Sequence, residues 1–378
     1  MSGAPKEIGA LAGARALPPL ILVLFHFCEQ SGYFHTRVLD APIGKGYLWV
    51  EFFFALSGFV LIHAYGARAH TLWRPVEYLR FLATRLSRLY PLHLATLLLL
   101  AVIVVVARTL AAHFGFVSVF DQPYHPIVTG ATFAANLALV QAWNLYPFLS
   151  WNAPSWFVSV EFLLCLLFPV FVAFSRGGFL RGLLLVGAGA AGLAALLTTS
   201  TQGLDLTFHN SIYRGAAGFA AGIGFAVIFR SLSRSSIRIP DWLLTVAQMA
   251  VLAALLIAIY FEGPARTQKD LMVALPVMSF VFLFAFDRGW LARLMRTTPL
   301  LALGEWSYAI YLVQYPLLQA LRTLRQFYPP AWNGNATVHN IEAVCLLAAC
   351  IAAGAGLTAL IEKPASLALR RLITRPAA

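Results

Sequence analysis

The chain has 378 residues, 60% of them hydrophobic and only 11% charged, and a formal net charge of +12. Its mean hydropathy is +0.77. Soluble domains carry about a quarter charged residues, and no soluble core of this length could hide so much apolar surface. The composition therefore excludes a soluble globular protein and points to a polytopic membrane protein. In a soluble chain the basic excess would suggest nucleic acid. Here the arginines gather in short gaps between apolar runs, as cytoplasmic loops do, so no nucleic-acid partner is expected.

Taken in order, apolar runs of spanning length cover roughly residues 10–30, 47–66 and 88–108. A fourth follows Pro154, four more centre near residues 190, 221, 252 and 277, and the last two lie near 300–321 and 340–362. The expected fold is all-α, about ten transmembrane helices in one bundle, forming a single transmembrane domain over residues 1–378 with no fused soluble domain. The first run lacks a small-residue cleavage signal and is read as a retained span. Residues 130–146 are apolar but short and carry Asn136 and Gln141, which suits a re-entrant or interfacial helix.

The loop charges decide the topology. Arg68, Arg74, Arg80, Arg85 and Arg88 crowd the gap after the second run, and Arg176 and Arg181 follow the fourth. Arg230, Arg234 and Arg238 follow the sixth, Arg288, Arg293 and Arg296 the eighth, and Lys363, Arg370, Arg371 and Arg375 the tenth. The alternate gaps are poor in basic residues. This pattern places both termini in the cytoplasm and residues 130–146 outside or dipping in. Cys28, Cys165, Cys345 and Cys350 lie in or beside apolar runs without metal-ligand spacing, so they read as packing residues and no metal is expected.

Four constellations could carry chemistry. Arg15 and His26 stand eleven residues apart in the first run, nearly three helical turns, which in an unbroken helix puts both on one face roughly 16 Å apart. Ionisable groups are costly inside a bilayer and tend to face a site, and an imidazole suits general-base work on a hydroxyl. The plainer reading is a snorkelling Arg and a His satisfied by a neighbour. Arg85 and Arg88, three apart on one helix face, could grip phosphate in bidentate fashion, although on spacing alone topogenic charge touching anionic lipid is the stronger reading. Glu161, in Trp156-Phe-Val-Ser-Val-Glu161, could orient His26 or simply face water at the interface. In Glu51-Phe-Phe-Phe-Ala-Leu-Ser-Gly-Phe59, Glu51 falls near the external interface, and Ser57 and Gly58 read as close-packing residues. Gly215, Gly218, Gly222 and Gly224 read the same way. Asn335-Ala-Thr337 fits a glycosylation acceptor, but nothing else argues for a eukaryotic secretory setting.

Together these residues resemble the acyltransferase-3 integral membrane proteins, over nearly the whole chain. Arg15 and His26 match that family's Arg-x10-His motif, Arg85 and Arg88 its Arg-x-x-Arg, and Phe53 to Phe59 its Phe-Phe-x-Leu-Ser-Gly-Phe segment. Ser159-Val-Glu161, Arg214 with Phe219 and Gly222, the run Leu303 to Pro316, and Glu362-Lys-Pro364 resemble its later signatures. Departures are Glu51 where Asp is common, Pro18 and Pro19 inside the first motif, apolar Phe162 to Cys165, and Gln314 where His is frequent. Residues 162–165 and Gln314 are accordingly given no catalytic role.

The resemblance implies transfer of an acetyl or other short acyl group from acetyl-CoA, a substrate rather than a bound cofactor, to a sugar hydroxyl. The acceptor would be a bacterial exopolysaccharide, a lipid-linked oligosaccharide or another surface glycan, and the setting the bacterial inner membrane. Arg85 and Arg88 would hold the CoA phosphates, and Arg15 would contact CoA or polarise the thioester. His26 would be the base and Glu161 its orienting partner. Direct transfer and a transient acyl-enzyme are both open. The rival reading is a secondary transporter or lipid-linked glycan flippase using the same charges, which predicts matched broken helices in two halves; no such repeat is evident.

Overall fold

A computed structural model of the chain describes residues 7–31, 38–122, 127–332 and 334–374. Arg375 and the Arg68 side chain lie outside the described residues. Regular structure among the described residues is helical, apart from one isolated bridge between Ile127 and Ser150. Among the described residues seven helices are long and apolar enough to cross a membrane: Gly9–Gln30, Gly46–Tyr65, Pro75–Phe114, Phe179–Thr199, Ser211–Arg234, Asp241–Glu262 and Ala336–Ile373. An eighth crossing is formed if the bent pair Ala153–Leu166 and Phe168–Phe174 counts as one. Helices Leu271–Ala285 and Thr298–Arg325 stand at the two remaining expected positions, but the first has only 15 residues and the second is not among the seven apolar spans.

In chain order the helices are α1 (Gly9–Ala14), α2 (Leu17–Ser31), α3 (Asp40–Gly44), α4 (Val50–Tyr65), α5 (Pro75–Phe114) and α6 (Gly130–Leu137). They continue with α7 (Trp156–Leu166), α8 (Phe168–Phe174), α9 (Phe179–Thr199), α10 (Ser211–Arg234) and α11 (Asp241–Glu262). The last are α12 (Leu271–Ala285), α13 (Trp290–Met295), α14 (Thr298–Arg325), α15 (Ala336–Leu357) and α16 (Lys363–Thr374).

Prolines set the breaks that shape the interior. The first span is interrupted at Arg15–Ala16, and Pro18 and Pro19 sit in the opening turn of α2, where a missing N–H costs nothing. The expectation of one unbroken helical face from Arg15 to His26 is therefore corrected. Pro169 cannot donate to the turn before it, and α7 and α8 meet at 62° there. Ahead of Pro364 the chain takes a π turn over Thr358–Glu362, a form that often marks functional positions. The third span also begins earlier than expected, because α5 carries its arginines on a helix that starts at Pro75.

The centre of the bundle is α4 against α10. A Cβ on Gly58 would stand 2.1 Å from the Phe219 carbonyl oxygen, and one on Gly222 would stand 1.9 Å from that of Ala55. Only glycine lets the two backbones approach so closely, as the small-residue spacing led one to expect. Between them, Arg214 Nε donates to Glu51 Oε1 at 2.5 Å with both side chains fully buried. Glu51 thus belongs to the core rather than to the external interface.

Residues 130–146 do not form a full span. Helix α6 ends after Leu137 and starts at a capping box made by Thr129 and Thr132. The polar residues of this stretch bond inside the protein: Asn136 Nδ2 donates to Ser150 Oγ at 2.9 Å, and Gln141 Nε2 to Ser155 Oγ at 3.0 Å, while Gln141 Oε1 is buried without a partner among the described residues. Asn335 caps α15, its side chain accepting from the Thr337 and Val338 amides, which accounts for the Asn-Ala-Thr triplet without a glycan. Asn335→Ala is expected to lower stability by about 1 kcal/mol, seen as a small drop in the melting temperature of the purified protein.

Candidate active site

Helices α1, α4, α5, α7 and α14 enclose a cavity of about 310 Å³, at the small end of the range for ligand pockets. Its apolar walls include Leu11, Phe53, Leu56 and Phe157, with Tyr308 and Tyr311 from α14. Tyr308 Oη donates to the Leu89 carbonyl at 2.7 Å and Tyr311 Oη to that of Pro154 at 2.5 Å, so the phenol oxygens brace neighbouring helices.

Four of the five residues singled out from the sequence line this cavity: Arg15, Arg85, Arg88 and Glu161. Arg15, at the C-terminal end of α1, lines the cavity together with the pair on α5. Arg15 is the strongest electrostatic influence on Arg88, Arg85 adds to it, and Glu362 from the π turn opposes them. Glu161 is already engaged, with Arg85 Nη2 3.5 Å away and the Ser57 hydroxyl donating to the same carboxylate oxygen. Glu7 in the cavity wall and Glu362 offset part of the charge of Arg15 and Arg88, but three guanidinium groups converge on one low-dielectric cavity, which favours a bound anion. Spacing alone had favoured topogenic charge for Arg85 and Arg88; their convergence with Arg15 on one cavity favours a binding role.

Two polar atoms in this cluster, Arg85 Nε and Glu161 Oε2, are buried without a hydrogen-bond partner among the described residues. Buried groups of this kind cost free energy unless a ligand or water satisfies them.

His26 does not line the cavity. Its Nδ1 lies 3.3 Å from Gln314 Oε1. The Gln314 amide nitrogen donates to the Tyr311 carbonyl at 2.9 Å, which fixes its oxygen toward the imidazole. His26 must then donate from Nδ1, and Nε2 keeps its lone pair. Tyr311 thus joins the two regions: its ring lines the cavity, and its carbonyl holds the amide that holds His26. The expected pairing of Glu161 with His26 is corrected, because the carboxylate is taken by Ser57 and Arg85 and the imidazole by Gln314.

Sequence reasoning missed three groups here. Ser57 was read as a packing residue, yet it lines the cavity. His63 lines it too, with its ring stacked on Phe59 at 5.9 Å. Gln314 was set aside as a departure from the family pattern. Its position three residues after Tyr311, on the helix that faces α2, was the available signal.

The chain is similar to the Acyltransferase MdmB of Streptomyces mycarofaciens, 27% identical over 391 aligned positions that cover 95% of this chain and 91% of that protein. It is also similar to Protein 2 in picA locus of Rhizobium radiobacter, 46% identical over 97 residues, which is 26% of this chain and 46% of that protein. No solved structure matches it at a significant level. The acyltransferase-3 profile, described as an acyltransferase domain, matches residues 8–360, and with the apolar helices this makes the chain a multi-pass membrane protein of the acyltransferase-3 family.

Proposed function

We propose that the protein is a bacterial inner-membrane O-acyltransferase. It would move an acetyl or other short acyl group from acyl-CoA to a sugar hydroxyl of an exopolysaccharide, a lipid-linked oligosaccharide or another surface glycan. The single observation that carries this reading is the convergence of Arg15, Arg85 and Arg88 on one apolar-walled cavity. Three guanidinium groups suit the phosphates of CoA, and the apolar walls suit its pantetheine arm and acyl group. Ten crossings as one domain, with both termini in the cytoplasm, would open the arginine end to cytoplasmic acyl-CoA, in line with the basic loops.

His26 serves as the general base for the acceptor. The tautomer set by Gln314 leaves Nε2 free to take a hydroxyl proton, and its position beyond the cavity suits an acceptor that approaches from the opposite side. Glu161 acts in the donor cavity rather than on the histidine. Purified protein in detergent, given labelled acetyl-CoA and a glycan acceptor, is expected to transfer label, and His26→Ala to lower the rate at least about a hundredfold. Full transfer by that variant would overturn the base assignment, and absence of CoA binding by the parent protein would overturn the donor.

A further inference from the structure

The geometry points to Ser57 as a nucleophile, so that transfer runs in two steps through an acyl-Ser57 enzyme. This inference rests on the reading that an acyl thioester enters the arginine cavity. Within the run Phe54–Phe59, Ser57 is the one side chain left partly open, and it opens into that cavity. Close helix packing is supplied by its neighbour Gly58, not by the serine. The Ser57 hydroxyl donates to Glu161 Oε1, and Arg85 Nη2 holds the same carboxylate from 3.5 Å. A hydroxyl bonded to a base, with the base fixed by a third group, is the general arrangement of an activated nucleophile. Arg85 Nε, buried without a hydrogen-bond partner among the described residues, adds a donor to the same cluster that could take up charge developing on a carbonyl oxygen.

In the first step Ser57 Oγ bonds to the thioester carbonyl carbon and its proton passes to Glu161. The tetrahedral oxyanion is stabilised by the guanidinium charges. The C–S bond then breaks, and CoA leaves as a thiolate that takes a proton from water. In the second step the acceptor hydroxyl gives its proton to His26 Nε2 and its oxygen attacks the Ser57 ester. The C–Oγ bond breaks, and Glu161 returns its proton to Ser57 Oγ. His26 releases its proton to water, which balances the one taken by the thiolate.

The test is an acylation assay without acceptor. Protein mixed with labelled acetyl-CoA, quenched in acid and weighed as the intact chain, is expected to carry up to one acetyl group. Ser57→Ala should carry none and lose glycan transfer at least about a hundredfold, while keeping the parent's melting temperature in detergent. Ser57→Cys should hold label that neutral hydroxylamine removes, as a thioester rather than an oxygen ester, which reports on the site even if the alanine variant does not fold. His26→Ala should still acquire the label and retain it when acceptor is added. Overturning results are glycan transfer with no label on the parent chain, or full transfer by Ser57→Ala. If the parent neither binds CoA nor transfers, the reading on which this inference rests fails instead.

Discussion

Arg214→Ala is expected to destabilise the fold by about 3–5 kcal/mol and to leave little folded protein after extraction into detergent. The residue is the largest fully buried side chain among the described residues, a guanidinium with no exposure. It holds Glu51 at 2.5 Å and the Tyr47 carbonyl at 2.8 Å, and it lies 5.4 Å from the centre of the Trp156 ring. Removing it strands a carboxylate between α4 and α10. Removing both charges at once should do much less harm, because an apolar pair of similar volume needs no compensation. The double variant Glu51→Leu with Arg214→Met is therefore expected to recover most of the lost stability. Melting curves of the three purified proteins decide the matter: a single variant that melts with the parent would show that the pair does not hold the helices together.

That ion pair also shows where sequence reading stops. Glu51 and Arg214 are 163 residues apart, and nothing in local pattern says which charges will meet. The same holds for Lys45, fully buried against Glu262 at 2.8 Å and Asp270 at 2.7 Å, which no motif singled out. What the sequence does carry is periodic and local. Apolar runs marked the helices, and small residues marked the α4–α10 contact. Bilayer cost singled out Arg15 and His26 inside the first run, whereas spacing alone left Arg85 and Arg88 as topogenic charge and Glu161 divided between a partner and water.

The site itself depended on breaks in the regular pattern. An unbroken first span would put Arg15 and His26 on one face; the helix is interrupted at Arg15–Ala16, and Arg15 lines the cavity while His26 pairs with Gln314. By chain logic Glu161 either orients His26 or faces water at the interface, and three-dimensional placement gives it Ser57 and Arg85 instead. Ser57 itself was indistinguishable from a packing serine, since its neighbour Gly58 does perform that role.

Arg88→Ala is expected to weaken CoA binding by about tenfold to a hundredfold, in keeping with the loss of one or two charge-assisted bonds worth 1.5–3 kcal/mol before solvent screening. Arg88 bears the repulsion of Arg15 and Arg85 and is opposed by Glu362, so its site is poised for an anion that supplies more negative charge than one carboxylate can. Arg88→Lys should lose less, keeping the charge while giving up the planar fork. Glu362→Gln should act in the opposite sense and tighten CoA binding several-fold at low salt, because the competing carboxylate is removed. Raising ionic strength should shrink all three differences, as the mouth of the cavity is partly open to solvent. Calorimetric titration with CoA, alongside the acyl-CoA dependence of transfer, separates binding from chemistry. The arginine change is expected in KM for the donor, with kcat moved much less, since phosphate contacts made equally in ground and transition states alter binding alone. If Arg88→Ala instead bound CoA like the parent, the three-arginine cavity would not be the donor site.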